Sequence, residues 1–234
     1  MSIFKFKYFT VKQGNSAMKV GTDAMVLGAF VDATSKTNAL DIGTGTGVLS
    51  LMLAQQNNSI QITGIDIDVA SIEEARMNCE ESQWSDRLHL IHNDFLAHEF
   101  GHLFDLIVSN PPYYSTTNES IDYRKAQARH VSSLAIKPFI EKVHSILSLT
   151  GSFWIIIPYI DFENWNAQAT ANGLKLARKI DVIGKDGNQP IRCVLQFDLS
   201  SDSVRNESFC IRNTDNSYTD DYIKLTREFH GRDL

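Results

Sequence analysis

The chain has 234 residues and an ordinary globular composition, so it is long enough for one α/β domain with a sizeable core. Its net charge of −6 argues against a protein that coats nucleic acid through bulk charge, although residues 1–22 carry four lysines and no acid. The three scattered cysteines indicate neither a disulfide framework nor a zinc site, so we expect no metal. No signal-peptide core or membrane-length apolar stretch is visible, so we expect a cytoplasmic protein.

The N-terminal residues 4–9, Phe-Lys-Phe-Lys-Tyr-Phe, alternate large apolar and basic side chains, which predicts a half-buried strand. Lysines on an edge strand discourage aggregation between sheets, and this role explains the pattern without any ligand. The alternative is a basic, aromatic strip in which Lys5 and Lys7 contact RNA. Both interpretations remain open from the sequence.

Residues 19–23, Lys-Val-Gly-Thr-Asp, precede an apolar run with helical spacing at residues 24–30. Either Thr22 or Asp23 can cap such a helix through its side-chain oxygen. Capping alone would therefore account for both residues.

Residues 41–47, Asp-Ile-Gly-Thr-Gly-Thr-Gly, predict a strand-to-helix turn, since apolar runs flank them on both sides. Gly43, Gly45 and Gly47 let the backbone bend tightly and let a ligand lie on the main chain. Their spacing does not match the dinucleotide fingerprint G-x-G-x-x-G, and the lysine of a phosphate-binding P-loop is missing. The remaining common ligand of such a turn is S-adenosylmethionine (SAM). Asp41 can accept a hydrogen bond from its ammonium group, directly or through water.

Polar residues end the next three predicted strands. Asp66 is placed where a carboxylate can accept hydrogen bonds from both ribose hydroxyls. Asp94 is placed to meet the adenine amino group, although an aspartate at this position often only caps the chain that follows. The fourth strand leads into the string Asn-Pro-Pro-Tyr at residues 110–113.

From residue 38 onward strand and helix signals alternate, which predicts βαβ units and a mostly parallel sheet with helices on both faces. Ligands bind beyond the carboxyl ends of parallel strands, so the polar residues above are expected to meet at one rim. Gly173 is expected to cap a helix, and Pro138 to bend its helix or mark its first turn. The predicted strands are residues 38–42, 60–66, 88–93, 103–109, 151–157, 174–183, 191–199 and a short 208–212; the predicted helices are 46–56, 69–82, 134–148, 161–172 and 220–229.

Asp41-x-Gly-x-Gly-x-Gly47, Asp66, Asp94 and Asn110-Pro-Pro-Tyr113, in this order and spacing, resemble the motifs of class I SAM-dependent N-methyltransferases that act on planar amino groups. The resemblance covers roughly residues 19–200. It implies a Rossmann-like α/β fold with a seven-stranded, mostly parallel sheet whose last strand is antiparallel. It also implies SAM as the cofactor.

The larger pattern is similar to the bacterial tRNA(Val) adenine-37 N6-methyltransferases. It adds Lys19-Val-Gly-Thr-Asp23, Tyr114 and Ala128-Arg-His130 to the motifs above. That resemblance implies methyl transfer to the N6 of an adenine in tRNA. It further implies cofactor contacts at Thr22 and Asp23 and substrate contacts at Tyr114, Arg129 and His130.

The Asn-Pro-Pro-Tyr string suits a reaction at an amide-like nitrogen, whose lone pair is delocalised and therefore poorly nucleophilic. The side-chain carbonyl of Asn110 and the backbone carbonyl of Pro111 can accept from its two N–H bonds, which turns the lone pair toward the methyl group. Consecutive prolines stiffen this backbone, and Tyr113 can stack on the ring. A proline-stiffened turn without chemistry is the alternative explanation.

Other substrates remain open. A glutamine amide in a protein fits the same string, but release-factor glutamine methyltransferases carry a helical N-terminal domain for which the lead-in here is too short. A ribosomal guanine N2-methyltransferase and a SAM-binding module that docks on RNA without turnover are further alternatives. DNA is not expected, because little chain remains for a domain that reads its sequence.

We expect a single methyltransferase domain over residues 1–234, active as a monomer. An N-terminal basic and aromatic extension over about residues 1–30 and a C-terminal helix over about residues 219–230 complete it. The polar loop at residues 114–132 follows the Asn-Pro-Pro-Tyr string, where a substrate lid belongs.

Overall fold

A computed structural model of the chain describes residues 2–14, 20–111 and 136–231. The strands are β1 (Ser2–Lys5), β2 (Thr10–Gln13), β3 (Asn38–Ile42), β4 (Gln61–Asp66), β5 (Leu88–His92), β6 (Phe104–Ser109), β7 (Leu147–Pro158), β8 (Lys175–Ile183), β9 (Arg192–Asp198) and β10 (Arg205–Cys210). The α-helices are α1 (Thr22–Phe30), α2 (Val48–Gln56), α3 (Val69–Glu80), α4 (Ile136–Ile146), α5 (Phe162–Ala171) and α6 (Asp220–Thr226).

The last eight strands form one sheet in the order β10-β8-β9-β7-β6-β3-β4-β5. Within this sheet, over the described residues, every neighbouring pair is parallel except those that include β9, which is antiparallel to β7 and to β8. The predicted α/β sheet is therefore confirmed, with an antiparallel strand at the predicted residues 191–199. The expected count of seven strands was one too low, because β10 adds a parallel edge strand beside β8. Phe209 anchors β10 through a ring contact with Phe30 of α1, centroid to centroid 5.0 Å.

Helices cover both faces of this sheet, as predicted. Side chains of α1, α2 and α6 pack in the core on one face, and those of α4 and α5 pack on the other. Neighbouring residues of β6 point alternately to the two layers: Leu106 and Val108 join the first core, and Ile107 joins the second. Strands buried on both faces read as continuous apolar runs, which is why their positions were predicted to within a few residues.

Two local predictions about helix ends have different outcomes. Gly173 follows α5 with φ of +86°, a left-handed conformation that fits the predicted C-terminal cap. The predicted capping of α1 by Thr22 or Asp23 was wrong, because the N-cap is Gly21 and no side chain bonds to the helix start.

The predicted strand at residues 4–9 was wrong as a single element. The chain turns between β1 and β2, where the Phe6 amide donates to the Phe9 carbonyl at 2.9 Å. The rings of Phe6 and Phe9 stack at 4.2 Å and are buried in the core. Side chains alternate between the two faces of an extended strand. Phe6 and Phe9 are three residues apart, so on one strand they would point to opposite faces and could not both enter the same core.

The N-terminal hairpin is fixed to α3 by a buried amide. The Asn78 side chain accepts from the Lys12 amide at 2.8 Å and donates to the carbonyls of Lys12 and Thr46, at 3.0 and 2.9 Å. Beside it, the Glu74 carboxylate accepts from the Gly14 amide at 2.7 Å. The hairpin, α3 and the glycine turn thus share one hydrogen-bond network.

Of the helices in the described ranges, none combines the length and the hydrophobicity needed to cross a membrane.

Replacing Asn78 with alanine should lower the free energy of unfolding by about 3 kcal/mol, because three backbone groups lose their partner in a nearly water-free site. Urea unfolding followed by circular dichroism measures the change. The matched control is Glu81→Ala in the same region, which removes only a surface ion pair with Lys12 and should cost less than about 1 kcal/mol. Equal losses in the two variants would contradict this role of Asn78.

Candidate active site

The carboxyl ends of β3, β4, β5 and β6 lie along one rim of the sheet. The parallel registers pair Ile42 with Ile65 on one side and with Ser109 on the other, and pair Asp66 with His92. Parallel neighbours are about 4.8 Å apart, so the turns that follow these strands leave the sheet side by side. The glycine turn, Asp66, Asp94 and Asn110 therefore share the predicted rim.

The glycine turn is a tight loop in which all three glycines adopt positive φ. The values are +70° at Gly43, +56° at Gly45 and +80° at Gly47, which side chains on these residues would strain. The amides of Gly43 and Thr44 both donate to the Ile65 carbonyl, at 2.9 and 3.1 Å, which fixes the turn to β4. A Cβ atom added at Gly43 would meet no atom within 4 Å, so open space lies against this backbone.

Asp41 is a fully buried carboxylate beneath the turn. Its Oδ2 accepts from the Thr44 hydroxyl, the Ser50 hydroxyl and the Ser50 amide, at 2.8, 2.8 and 3.1 Å. Among the described residues, its Oδ1 has no hydrogen-bond partner. Burial raises the pKa of Asp41 from 3.8 to about 6, against the hydrogen bonds of Ser50 and Thr44. A buried acceptor of this kind suits a cationic or N–H donor on a ligand.

The side chain of Asp66 stabilises the glycine turn through a hydrogen bond. Its Oδ2 accepts from the Gly45 amide at 2.8 Å and its Oδ1 from the Asp68 amide at 2.9 Å. Burial raises the pKa of Asp66, while these backbone hydrogen bonds lower it. Each carboxylate oxygen has a second lone pair, so hydroxyl donors of a ligand can still bind.

Asp94 has a local structural role of the kind considered above. Its Oδ1 accepts from the Leu96 amide at 2.9 Å, and its carbonyl accepts from the amides of Ala97 and His98. The side chain is exposed and lies just beyond β5, next to the end of β4, where the Asn93 amide donates to the Asp66 carbonyl at 3.1 Å. A cofactor contact of Asp94 stays a prediction.

Three exposed apolar side chains on this part of the rim were missed by the sequence analysis. Ile67 is 69 % exposed and directly follows Asp66, and Val69 and Leu96 are exposed close by. Large apolar side chains left in water beside a turn with open space indicate a ligand with an apolar face. Their signal in the sequence was an isoleucine immediately after a strand-ending acid.

Asn110 lines a cleft of about 340 Å³. It follows β6, and the hydroxyl of Ser109, the last residue of that strand, donates to the Ile42 carbonyl at 2.9 Å. The other lining residues are Gly21, Thr22, Asp23, Val182, Gly184, Ile191, Arg192, Ile211 and Arg212. The cleft thus brings together Asn110 and the predicted contacts Thr22 and Asp23. Pro111 is half-buried beside Asn110, whereas Tyr113, Tyr114, Arg129 and His130 lie outside the described residues.

An ion pair crosses this cleft. Arg192 donates from Nε to Oδ2 of Asp23 at 3.0 Å, which joins the start of β9 to the first turn of α1. The sequence analysis missed Arg192, because its position depends on the reversed direction of β9, which places the first residue of that strand at the rim where the others end. Asp23 is therefore held by a side chain 169 residues away instead of by its own helix.

Lys7 is not brought to the rim, and an RNA contact of Lys5 stays a prediction. The Lys7 side chain pairs with Glu228 at 2.9 Å, and the Glu228 carbonyl accepts from Gln55 near the end of α2. Because α2 begins at the glycine turn and is about 13 Å long, this pair lies at the far end of the helix. The edge-strand explanation of these lysines fits this placement.

Metal and thiol chemistry find no support in the described part of the chain. No group of three or more His, Cys, Asp or Glu side chains there could hold a metal ion. Burial raises the pKa of both Cys79 and Cys193 to about 12, so neither is a thiolate near neutral pH.

Comparison with known proteins identifies relatives over almost the whole chain. The profile of the Methyltransferase small domain family matches residues 15–160. A tRNA1(Val) (adenine(37)-N6)-methyltransferase from Vibrio campbellii is 38 % identical over 97 % of this chain and 95 % of its own length. A protein of the same name from Phocaeicola vulgatus is 39 % identical over 97 % of each chain.

Solved structures share the fold at much lower identity. A protein from Agrobacterium tumefaciens, described as a predicted O-methyltransferase, gives a TM-score of 0.67 at 16 % identity, over 90 % of this chain and 98 % of its own. A glycopeptide N-methyltransferase solved with SAM gives 0.59 at 10 % identity, over 78 % and 90 %. These matches support the class I methyltransferase fold.

The free energy of unfolding of the ligand-free protein should depend on Asp41 between pH 4 and 7. The folded state, with a pKa of about 6, binds the proton more tightly than the unfolded state at 3.8. This stabilisation, about 3 kcal/mol at most, is complete below pH 3.8 and is lost as the pH rises through 6. Urea unfolding across this range should show that Asp41→Asn removes it.

Asp32→Asn is the control, because hydrogen bonds from Thr34 lower the pKa of Asp32 and place its effect on stability below pH 4. If the free energy of unfolding of Asp41→Asn depends on pH as that of the wild type does, the buried carboxylate of Asp41 is not the cause of this dependence.

Proposed function

This chain belongs to the tRNA1(Val) (adenine(37)-N6)-methyltransferase family, and we propose that it transfers a methyl group from SAM to the exocyclic N6 of adenine 37 in tRNA1(Val). The observation that carries the proposal is the adjacency of Asn110 and the glycine turn at the ends of paired strands. The glycine turn suits the methyl donor, and the turn at Asn110 suits an amide-like methyl acceptor.

The residues of the glycine turn fit SAM. Asp41, with its unpartnered Oδ1, is proposed to accept from the ammonium group, and Asp66 from the ribose hydroxyls. Gly43 leaves the backbone open to the ligand, while Gly47 lets the turn pack closely against Ala75 and Cys79 of α3. Ile67 and Asp94 are proposed to contact the adenine, through its face and its amino group respectively.

Bound SAM supplies an electrophilic methyl group on a sulfonium. The residues of the chain then have to orient the acceptor nitrogen, and no strong base is required for this. The Asn110 and Pro111 carbonyls are proposed to accept from the two N–H bonds of N6, which directs its lone pair out of the ring plane. Tyr113 is proposed to stack on the base, and Thr22 and Asp23 to border the cofactor from the opposite wall of the cleft.

We treat residues 1–234 as one domain in this proposal. The N-terminal hairpin supports this, because it bonds to α3 through Asn78 and to the C-terminal residues through Phe6 and His230. Tyr114, Arg129 and His130 remain proposed tRNA contacts on the strength of the family pattern.

Methyl transfer from labelled SAM to total tRNA from a strain lacking the gene tests the proposal directly. The label should appear in N6-methyladenosine of the tRNA1(Val) fraction. Label in protein alone, or in N2-methylguanosine of ribosomal RNA, would replace the tRNA assignment, and label in neither would remove the enzyme assignment.

Asn110→Ala should lower the rate of methyl transfer by a factor of about 100 to 1,000, because the orienting carbonyl is lost. The dissociation constant of SAM, measured by calorimetry, should stay within about twofold, since Asn110 acts on the acceptor. Asn110→Asp keeps an oxygen acceptor and should remain at least about tenfold faster than the alanine variant. Loss of SAM binding in step with the rate would contradict the role of Asn110.

Asp66→Ala should weaken SAM binding about tenfold or more, because two hydroxyl partners and the support of the Gly45 amide are removed together. Asp68→Ala is the control on the same turn: Asp68 caps α3 by accepting from the Ser71 amide, so its loss should cost about 1 kcal/mol of stability and leave SAM affinity unchanged. Similar SAM affinities for the two variants would take Asp66 out of the site.

A further inference from the structure

A second group of exposed apolar side chains lies on the rim, on the other side of Asn110 from Ile67. Ile160 is 88 % exposed, Ile191 is 52 % exposed and Tyr159 is 39 % exposed. We name these three residues the rim patch. They are contiguous, because the Tyr159 amide donates to the Ile191 carbonyl at 3.1 Å. Ile191 also lines the cleft of Asn110, so the rim patch begins where that cleft opens.

The rim patch is held in place from below. The Lys179 ammonium lies 5.0 Å from the ring centre of Tyr159 and 4.7 Å from that of Phe162, and it pairs with Asp181 at 2.5 Å. These contacts fix an aromatic ring at the edge of the rim. A surface ordered before its ligand arrives loses little conformational freedom on binding.

A cation faces the same cleft. The Arg212 guanidinium packs 4.1 Å from the ring centre of Tyr218 and donates to the Asn216 carbonyl at 2.6 Å. Within the described ranges, no carboxylate forms an ion pair with it, whereas Arg192 in the same cleft is paired with Asp23. Arg212 thus carries an uncompensated charge at a fixed position.

We propose that the rim patch and Arg212 form the docking surface for the single-stranded RNA next to the target adenine. This inference rests on the proposed function. An adenine that enters the cleft leaves its neighbours without a stacking partner, and the ring of Tyr159 with the apolar surfaces of Ile160 and Ile191 replaces that partner. The neighbouring base packs on the rim patch and a phosphate oxygen accepts from Arg212. Apolar contact together with an uncompensated guanidinium matches a base and its phosphate, and Ile191 and Arg212 line the same cleft as Asn110, where the target adenine is proposed to enter.

Binding of a fluorescent anticodon stem–loop of tRNA1(Val), measured by anisotropy with the full chain saturated with S-adenosylhomocysteine, tests the surface. The double variant Ile160→Ser/Ile191→Ser should raise the dissociation constant of the RNA about tenfold. The matched control Leu149→Ser removes a leucine that is 81 % exposed near the start of β7, at the other end of the sheet, and should change it by less than about twofold.

Arg212→Gln should lower the slope of log Kd against log salt by about 1, since one phosphate contact is lost. Its control is Arg76→Gln on α3, which packs beside β4 and β5 at the opposite edge of the sheet and should leave the slope unchanged.

Unchanged RNA affinity in the Ile160/Ile191 variant, or an equal loss in Leu149→Ser, would overturn the docking surface. A drop in sedimentation coefficient with unchanged RNA affinity would identify the rim patch as an interface between two copies instead. The docking surface and the proposed function can fail independently. If the wild-type protein methylates no tRNA but its RNA binding still depends on the rim patch, the docking surface stands and the proposed reaction is wrong.

Discussion

The pairing of β3 with β6 is the constraint on which the site depends. Ile42 and Ser109 are partners in a parallel ladder, so the next residues, Gly43 and Asn110, leave the sheet next to each other. The Ser109 hydroxyl, which donates to the Ile42 carbonyl, adds a side-chain bond at this end of the ladder. A slip of one residue would move Asn110 by about 3.3 Å along the strand. That distance exceeds the tolerance of the hydrogen bond that N6 is proposed to donate to Asn110, so the proposed reaction depends on this register.

The buried carboxylate of Asp41 links stability to ligand binding at the same place. Its charge is unfavourable in the ligand-free fold, as the raised pKa of about 6 indicates, yet its three hydrogen bonds join Thr44 of the turn to Ser50 of α2. A cation bound near Oδ1 would offset the burial of that charge. Under the proposed function, the site keeps a group that destabilises the empty protein because its charge is used when SAM is bound.

The fold was predictable from the sequence to the extent that local signals decide it. Strands such as β3, found at the predicted residues 38–42, lie inside apolar runs, and the positive φ values of the glycine turn follow from its composition. The role of Asp23 was not predictable locally, since its partner Arg192 comes from the strand that reverses direction. The ion pair of Lys7 was not predictable locally either, since its partner Glu228 lies near the other end of the chain.

The two arginines that line the cleft differ in whether an acidic residue pairs with them. Arg192 is compensated by Asp23, so the wall facing Asn110 presents a neutral ion pair, which suits an uncharged purine that must shed its water. Burial raises the pKa of Asp161, and the nearby guanidinium of Arg192 opposes this rise. Arg212, by contrast, has no acidic partner among the described residues, and its charge remains available to an anion at the mouth of the same cleft. In an RNA strand each neutral base is joined through its ribose to an anionic phosphate, so the proposed docking of RNA uses both the neutral ion pair of Arg192 and the uncompensated charge of Arg212.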